Sequence, residues 1–249
     1  MKLTVLGCAG SFPGPDAPCS AYLVEADGFR LLLDFGTGSL AVLQQLGALH
    51  DLDAVLLSHL HCDHMLDACS YVVVRRYAPD GPYPVLPLYG PTGVRERITA
   101  VYGAPDEGPI DDVYDCHTLR PGTRRIGPFE VTLERVNHPV ETYGVRLSHG
   151  GRTLAYSADT GMCEALLRLA DKADVFLCEA SYLDGRQNPP DLHLTGGEAG
   201  SIATKAGVGR LLLTHLVQAW GDPADTLDSA TTTFAGPVAL ATPRTSYDI

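Results

Sequence analysis

Six consecutive residues, His59-Leu60-His61-Cys62-Asp63-His64, place three imidazoles and one carboxylate close together in the chain. The sequence has nine histidines, so a third of them fall in this one run. Imidazole nitrogens and carboxylate oxygens are the usual protein ligands of zinc and similar divalent ions, and several on one short loop suit one ion or an adjacent pair. The run therefore predicts a metal site, with a polar turn that happens to be rich in histidine as the alternative.

Three further residues with ligand chemistry follow predicted strands. They are His138, which precedes Pro139, together with Asp159 and His215. A single His or Asp after a strand is more often a cap or a turn residue. A rigid sheet, however, holds side chains at its strand ends at fixed distances, which a metal site requires. Taken together with the six-residue run, the three therefore complete a candidate site.

The elements that must position these residues are indicated by short apolar runs and turn signals. Predicted strands are Leu3 to Leu6, Ala21 to Glu25, Arg30 to Asp34, Ala54 to Ser58, Val85 to Tyr89, Phe129 to Glu134, Gly144 to Leu147, Thr153 to Ser157, Val175 to Cys178, Leu211 to Leu213 and Val238 to Ala241. Predicted helices are Leu40 to Leu46, Met65 to Arg76, Gly93 to Tyr102, Ala165 to Asp171 and Thr195 to Ala206. This mixture predicts sheets packed between helices.

Length and composition limit what this site can belong to. The 249 residues are 45% hydrophobic and 19% charged, which is ordinary for a globular protein, and no stretch resembles a linker. We expect one domain over residues 1–249. No apolar run approaches the roughly 20 residues that span a bilayer. The N-terminus is typical of a first strand and not of a secretory signal, so the cytoplasm is the expected compartment.

Cysteines and charge exclude other classes. The seven cysteines form no CxxC pair, which disfavours a disulfide framework and a sulfur-only zinc site, and predicts free thiols. The net charge of -12 disfavours nonspecific binding to nucleic-acid backbones. Arg75-Arg76 is a candidate contact for substrate phosphate, with solvated surface as the alternative. Asp106-Glu107 and Asp111-Asp112 are predicted to be solvated turns.

With these residues in order, the chain resembles the metallo-β-lactamase superfamily of dinuclear metallohydrolases, whose His-x-His-x-Asp-His signature is intact at His59 to His64. The segments Leu6 to Ser11 and Leu33 to Gly38 are similar to its early glycine-bearing strands. The resemblance covers essentially the whole chain and implies the αββα sandwich fold. It also implies two divalent ions, predicted to be zinc with manganese or iron as alternatives. By this resemblance one ion is held by His59, His61 and His138, the other by Asp63, His64 and His215, and Asp159 bridges them.

Two more residues point to a branch of that superfamily. Glu179, in Glu179-Ala180-Ser181, and the non-ligand His193 resemble the phosphodiesterase branch that includes ribonuclease Z. By this resemblance His193 donates a proton to the leaving oxygen and Glu179 orients it, which is useful chemistry because an alkoxide is a poor leaving group. His193, Glu179 and Asp63 are accordingly the predicted catalytic residues. For His193 the alternative is a non-catalytic position near a helix N-terminus, with Thr195 as the N-cap. Asp34 is predicted either to orient a ligand His or to bind backbone amides only.

One departure from ribonuclease Z bears on the substrate. Bacterial forms of that enzyme insert a long arm for transfer RNA between the third-motif His and the bridging Asp, whereas only 21 positions separate His138 from Asp159. With the acidic charge, this favours a small phosphodiester such as 3′,5′-cyclic AMP and makes nucleic acid an unfavoured substrate. The alternatives are a ribonuclease Z-like nuclease that processes transfer-RNA 3′ ends and a hydrolase for lactones, thioesters or sulfate esters.

Three expectations complete the prediction from sequence. Trp220, shortly after His215, is a candidate to stack on a purine, with packing beside the site as the alternative. The proline-rich segment from Tyr77 to Pro91 is a candidate rim or lid, with a plain surface connection as the alternative. A homodimer is predicted by analogy alone, and gel filtration with light scattering tests it.

Overall fold

The computed structural model of the protein describes residues 1–103 and 110–249. Its strands are β1 (Lys2–Gly7), β2 (Ala21–Ala26), β3 (Phe29–Leu33), β4 (Ala54–Leu56), β5 (Leu86–Gly90), β6 (Tyr114–Thr118), β7 (Gly122–Ile126), β8 (Phe129–Arg135), β9 (Tyr143–His149), β10 (Arg152–Tyr156), β11 (Val175–Glu179), β12 (Leu211–Thr214), β13 (Val238–Leu240) and β14 (Ser246–Asp248). Its α-helices are α1 (Ser39–Gln45), α2 (Cys62–Arg76), α3 (Val94–Tyr102), α4 (Glu164–Ala170), α5 (Gly196–Ala206) and α6 (Pro223–Thr233).

The strands form two mixed sheets of seven strands each. The first has the order β14-β1-β2-β3-β4-β5-β6 and the second the order β13-β12-β11-β10-β9-β8-β7. Apolar side chains of both sheets, such as Val24 and Leu31 from the first and Leu147 and Leu154 from the second, share one buried cluster. The sheets therefore pack face to face, as alternating inward side chains require.

Helices cover the two outer faces of this sandwich. A second buried cluster joins the first sheet to α1, α2 and α3, for example through Leu32, Leu43 and Met65. A third joins the other sheet to α4, α5 and α6, for example through Phe176 and Ile202. The predicted αββα arrangement in a single-domain α/β fold is thus confirmed.

Strand direction gathers several chain segments at one edge of the sandwich. In the second sheet β10, β11, β12 and β13 run parallel, and β8 shares their direction because β9 is antiparallel to both β8 and β10. In the first sheet β3, β4 and β5 run parallel and β1 shares their direction through antiparallel β2. The carboxyl ends of these strands, and the loops that follow them, therefore lie at one edge of each sheet.

The structure contains four elements, three strands and one helix, that the sequence did not predict. These are β6, β7, β14 and α6. β6 and β7 carry charged and polar residues such as Asp115 and Arg124 on exposed edge strands, so the apolar signal is weak. Helix α6 has a start signal, Asp222 as N-cap and Pro223 in the first turn, but it buries only Thr226 and Ala230.

Several smaller predictions can be compared directly. All seven cysteines are free thiols, as predicted. Asp111 and Asp112 are exposed but form ion pairs with Arg95 and Arg76, and Asp106-Glu107 lies outside the described residues. Within residues 1–103 and 110–249, none of the helices has the length and apolar character needed to cross a membrane. Between His138 and Asp159 the chain forms only the β9–β10 hairpin, so no arm is present there.

Candidate metal centre

The sequence suggested that the six-residue run lies on one loop, but the structure divides it between a loop and a helix. His59 and His61 follow β4 in a loop, and helix α2 begins at Cys62, three residues earlier than predicted, so Asp63 and His64 lie in its first turn. The early start is favoured by Asp63, since a carboxylate in the first turn interacts well with the positive end of the helix dipole. The helix start therefore fixes the direction of two candidate ligands.

The first group of candidate ligands combines the loop after β4 with loops of the second sheet. It consists of His59, His61, His138 and Asp159, whose ligand atoms lie within 4.8 Å of one another. His61 Nδ1 lies 3.1 Å from His59 Nε2 and 3.2 Å from His138 Nε2. Nitrogens bound to one zinc ion at 2.0–2.1 Å in a tetrahedron are separated by roughly 3.3 Å. The spacing is therefore that of ligands around a single ion.

The second group shares Asp159 with the first. It consists of Asp63, His64, Asp159 and His215, all buried and again within 4.8 Å. His64 Nε2 lies 3.1 Å from His215 Nε2, and His215 Nε2 lies 3.1 Å from Asp63 Oδ2. One oxygen of Asp159 lies 3.7 Å from His59 Nε2 and the other lies 3.1 Å from His64 Nε2. All seven residues predicted as ligands are thus brought together in two adjoining groups.

The hydrogen bonds behind the second group decide which nitrogens can bind a metal. His64 Nδ1 lies 2.8 Å from Asp34 Oδ2, and a carboxylate only accepts, so Nδ1 carries the hydrogen and Nε2 a lone pair. Ser181 Oγ has one hydrogen, which it can donate to Glu179 or to the carbonyl oxygen of His215. It must then accept from His215 Nδ1 at 2.7 Å, which leaves a lone pair on His215 Nε2.

The same reasoning applies to the first group. His138 Nδ1 donates to the carbonyl oxygen of Leu192 at 3.2 Å, so its Nε2 has a lone pair. Ser58 Oγ donates to Asp34 Oδ2 at 2.8 Å and so accepts from His59 Nδ1 at 3.1 Å. His59 Nε2 therefore also presents a lone pair. Each imidazole orientation is set by a partner on its far nitrogen, which is how proteins fix the tautomer of a metal-binding histidine.

The chemistry of these residues fits a bound cation. In the neutral form that binds a metal, imidazole nitrogens and carboxylate oxygens bring their lone pairs to within about 3 Å of one another, for example at His64 Nε2 and His215 Nε2. Asp159 Oδ1 is buried and makes no hydrogen bond within the described part of the chain. A buried polar atom without a partner is costly, and a bound ion removes that cost. The His and Asp residues are therefore positioned for a metal site.

The electrostatics agree with this. Burial acts to lower the pKa of His64, but the surrounding carboxylates, Asp159 first, raise it well above its usual value. Burial acts to raise the pKa of Asp159, but the imidazoles, His215 first, hold it well below its usual value. Burial is the main cause that lowers the pKa of His59 well below its usual value. The centre therefore stabilises positive charge beside ionised carboxylates.

His193 and Glu179 lie together beside both groups. His193 Nδ1 is 2.8 Å from Glu179 Oε1, and the His193 ring is 5.4 Å from that of His138 and 5.6 Å from that of His215. Glu179 is fully buried at the end of β11 and also accepts the N–H groups of Thr160 and Leu194. Burial acts to lower the pKa of His193, but attraction to Glu179 leads the effects that raise it to about 9. Thr195 does cap α5, through a capping box with Glu198.

The backbone at the centre is strained where it turns from strand to loop. Asp34, Ala158 and His215 have φ values of 57°, 52° and 58°, a region that residues other than glycine adopt at a cost. Close packing accompanies this strain, because a β-carbon at Gly10 would overlap the carbonyl oxygen of His215. Such a cost persists only where the surrounding structure requires one geometry, here that of the ligands.

Sequence reasoning missed several supporting residues and misplaced others. Ser58, Tyr156 and Ser181 had no assigned role, although Tyr156 Oη donates to Asp34 Oδ2 at 2.7 Å. The Arg75-Arg76 pair lies at the far end of α2, about 20 Å from its first turn, given the 1.5 Å rise per residue. Arg75 is buried against Tyr71 and Tyr83, and Arg76 pairs with Asp112. The pair does not meet a substrate at the centre.

The segment from Tyr77 to Pro91 follows that same end of α2. Tyr83 N donates to the carbonyl oxygen of Arg75 at 3.0 Å, and the Tyr83 ring stacks on His50 with 4.4 Å between centroids. The first part of this segment is therefore a surface connection fixed to α2. A surface connection was the alternative to a lid.

Asp34 provides a first test of the centre. Its carboxylate accepts hydrogen bonds from Ser58 N at 2.6 Å and from His64, Ser58 Oγ and Tyr156. Asp34 therefore both binds a backbone amide and orients a ligand His, the two roles predicted from sequence. We expect Asp34→Asn to weaken metal binding by about 10- to 100-fold, the usual effect of losing a partner that orients a ligand histidine. Competition with a chromogenic chelator measures this. The control Asp53→Asn, whose carboxylate accepts Arg30 N on an exposed surface, should bind metal normally, and equal affinities for both variants would contradict the role.

Comparison with known proteins agrees with the fold and the centre. Residues 30–216 match the protein family described as the beta-lactamase superfamily domain. An uncharacterized protein of Mycobacterium tuberculosis is 44% identical over 249 residues, covering 96% of this chain and 88% of the relative. The probable metallo-hydrolase YhfI of Bacillus subtilis is 32% identical over 251 residues, covering 97% of each chain. Its crystal structure matches with a TM-score of 0.88 over 99% of both chains at 30% identity.

A ribonuclease is also among the relatives. Ribonuclease Z of Streptomyces coelicolor is 28% identical over 273 residues, covering 90% of this chain and 89% of that enzyme. This chain therefore aligns with hydrolases over most of their length, and it shares its fold with one of them, YhfI.

Proposed function

Because this chain belongs to the metallo-β-lactamase superfamily and is a metal-dependent hydrolase, we propose that it is a dinuclear phosphodiesterase for a small phosphodiester, with 3′,5′-cyclic AMP as the first candidate. One observation carries the proposal. A buried carboxylate, Glu179, holds the imidazole of His193 beside both groups of candidate ligands. That pair supplies a proton donor for a departing alkoxide, which is otherwise a poor leaving group.

The residues of the centre have separate tasks. His59, His61 and His138 would hold one ion, Asp63, His64 and His215 the other, and Asp159 both, since it belongs to both groups. Zinc is the proposed metal, and manganese or iron would accept the same donors. The ions would supply Lewis-acid activation of water and of the phosphate. The protein positions them through Asp34, Ser58 and Ser181, which fix the orientation of the imidazoles.

His193 would act on the leaving group. Its Nδ1 faces Glu179, so its Nε2 is the nitrogen left to donate a proton to the departing alkoxide oxygen. Glu179 is a positioning residue: its two oxygens accept from Thr160 N at 2.6 Å and from Leu194 N at 3.3 Å, so the carboxylate itself cannot swing away. A positioned acid of this kind contributes typically about 100- to 10,000-fold to rate.

The loops around the centre favour a small substrate. Residues 8–20, 34–38, 57–61, 136–142, 157–163, 180–195 and 215–222 contain no Lys, a single Arg (Arg186) and seven carboxylates. Binding to an RNA backbone depends on several Lys or Arg contacts to phosphates. A substrate with one phosphate, bound by the metal ions, needs no such contacts. The short β9–β10 hairpin, where ribonuclease Z would carry its arm, agrees with this.

A substrate panel tests the proposal. Protein reloaded with zinc or manganese is given 3′,5′-cyclic AMP, 2′,3′-cyclic AMP, a precursor transfer RNA, and a lactone and a thioester, and products are followed by chromatography. We expect metal-dependent opening of a cyclic nucleotide and little cleavage of the RNA. Cleavage of the precursor at its 3′ end would instead support the second candidate, a ribonuclease Z-like nuclease, which His193, Glu179 and the 28% identical relative favour. Activity on the acyl compounds alone would overturn both.

Metal removal should also destabilise the fold. Without an ion, the ionised carboxylates of Asp63 and Asp159 remain buried without the metal for which they are positioned. A ligand present at 100 times its Kd stabilises a protein by about 2.7 kcal/mol. For a chain of this size that corresponds to a rise in Tm of roughly 5–10 °C. Differential scanning fluorimetry of stripped and zinc-reloaded protein measures it. The same experiment on His215→Ala should show a smaller shift, and an identical Tm with and without metal in the unmodified protein would contradict the assignment.

A further inference from the structure

Two large aromatic side chains are exposed on loops at the edge that carries the metal centre. Phe12 is 44% exposed and Trp220, the only tryptophan of the chain, is 47% exposed. A single exposed apolar residue is ordinary. These two differ from a random pair because the loops that carry them are joined to each other and to the candidate ligands.

Phe12 lies directly after a residue that contacts the centre. Ser11 N donates to Asp63 Oδ2 at 2.8 Å, and Phe12 N donates to the carbonyl oxygen of Gly10 at 2.7 Å. Ser11 has a φ of 62°, so the chain turns sharply at this point and is held in the turn by the Asp63 carboxylate. The Phe12 backbone is thus fixed one residue after Ser11, which contacts the candidate ligand Asp63.

Trp220 lies on the loop that begins with His215. Gly10 N donates to the carbonyl oxygen of Leu216 at 3.1 Å, and Gly14 packs against the side chain of Gln218, so this loop runs alongside that of Phe12. Trp220 N closes a turn to the carbonyl oxygen of Val217 at 2.8 Å. On its other side Gly221 packs against Leu183, which lies on the loop between Glu179 and His193.

Lys and Arg side chains for holding the rest of a substrate are scarce in the loops around the centre. Apart from Arg186 and the histidines of the centre, the loops that surround it contain no basic side chain, so binding beyond the phosphate is expected to come from apolar and hydrogen-bonding contacts. Planar aromatic faces suit a planar partner, and base–aromatic stacking works for every nucleobase because each has a π-face. Phe12 and Trp220 are the side chains in these loops that can supply such faces to a ligand from an exposed position.

We propose that Phe12 and Trp220 form a stacking subsite for the nucleobase of the substrate. The inference rests on the proposed phosphodiesterase function, because it assigns the base to the same molecule whose phosphate would bind the metal ions. It goes further by naming the two side chains that recognise the base of the substrate. An alkyl phosphate, which offers an apolar chain without a π-face, is the competing ligand.

The single tryptophan allows a binding test that does not require hydrolysis. Zinc-loaded protein is titrated with 5′-AMP, ribose 5-phosphate and hexyl phosphate while the fluorescence of Trp220 is recorded. All three ligands carry a phosphate, but only 5′-AMP carries a base. We expect saturable quenching by 5′-AMP and at least about 5-fold weaker binding of the other two, since stacking on one aromatic residue changes affinity by roughly 5- to 150-fold.

The variant Phe12→Ala should weaken binding of 5′-AMP by about 5- to 150-fold and leave the affinity for ribose 5-phosphate unchanged. Tyr77→Ala is the matched control, because Tyr77 is 56% exposed but lies at the opposite end of α2 from the centre. The inference would be overturned if ribose 5-phosphate or hexyl phosphate bound as tightly as 5′-AMP. It would also be overturned if Phe12→Ala bound 5′-AMP as tightly as the unmodified protein. Base-dependent quenching in a protein that hydrolyses no cyclic nucleotide would support the subsite and overturn the proposed function instead.

Discussion

Replacing His193 by Ala is expected to slow hydrolysis of a phosphodiester with an alkoxide leaving group by roughly 100-fold or more. The reason is local: Glu179 holds His193 at 2.8 Å, beside both groups of candidate ligands. The effect should fall on kcat, since a proton donated in the transition state adds little to substrate binding. Steady-state kinetics with 3′,5′-cyclic AMP measures it.

The leaving group separates a proton donor from a structural role. A p-nitrophenolate departs without protonation, so bis-p-nitrophenyl phosphate should be cleaved by His193→Ala at a rate close to that of the unmodified protein. Glu179→Gln keeps His193 but removes the charge beside it. We expect its rate on the cyclic nucleotide to lie between that of the unmodified protein and that of His193→Ala. Metal content measured in parallel should be unchanged in His193→Ala. Equal losses on both substrates, or loss of metal, would show that His193 supports the structure of the centre and not proton transfer.

The second large effect is expected for Asp159→Asn. Asp159 belongs to both groups of ligands, and one of its oxygens is buried without a hydrogen bond. An amide has nearly the same shape but carries no charge and brings hydrogens toward the lone pairs of His59 and His64. A metal ion contributes several kcal/mol to such reactions, so we expect activity to fall by roughly 100- to 1,000-fold together with a loss of bound metal.

Elemental analysis after gel filtration gives the metal content of that variant. Asp191→Asn is the matched control, because Asp191 is exposed and its φ of 58° is one that asparagine tolerates. It should keep both metal and activity. Full metal content and full activity in Asp159→Asn would contradict the assignment of Asp159 to the centre.

Much of this site could be predicted from sequence because its residues follow strands or stand in one compact run. The sequence could not show that α2 begins at Cys62, because the apolar periodicity of that helix starts only at Met65. It could not identify Tyr156 as a partner of Asp34 either, since the two are 122 residues apart and meet only when the sheets pack. Helix α6 and strands β6 and β7 were missed because they bury few apolar side chains, and packing, not local pattern, defines them.

The measurement that tests the whole account most directly is the rate of 3′,5′-cyclic AMP hydrolysis as a function of bound zinc, from stripped protein to two equivalents per chain. If the protein is a dinuclear phosphodiesterase, AMP should form only with metal present, and the rate should reach its maximum at two equivalents. A protein that binds two equivalents of zinc, leaves the phosphodiester intact and opens a lactone or a thioester would contradict it.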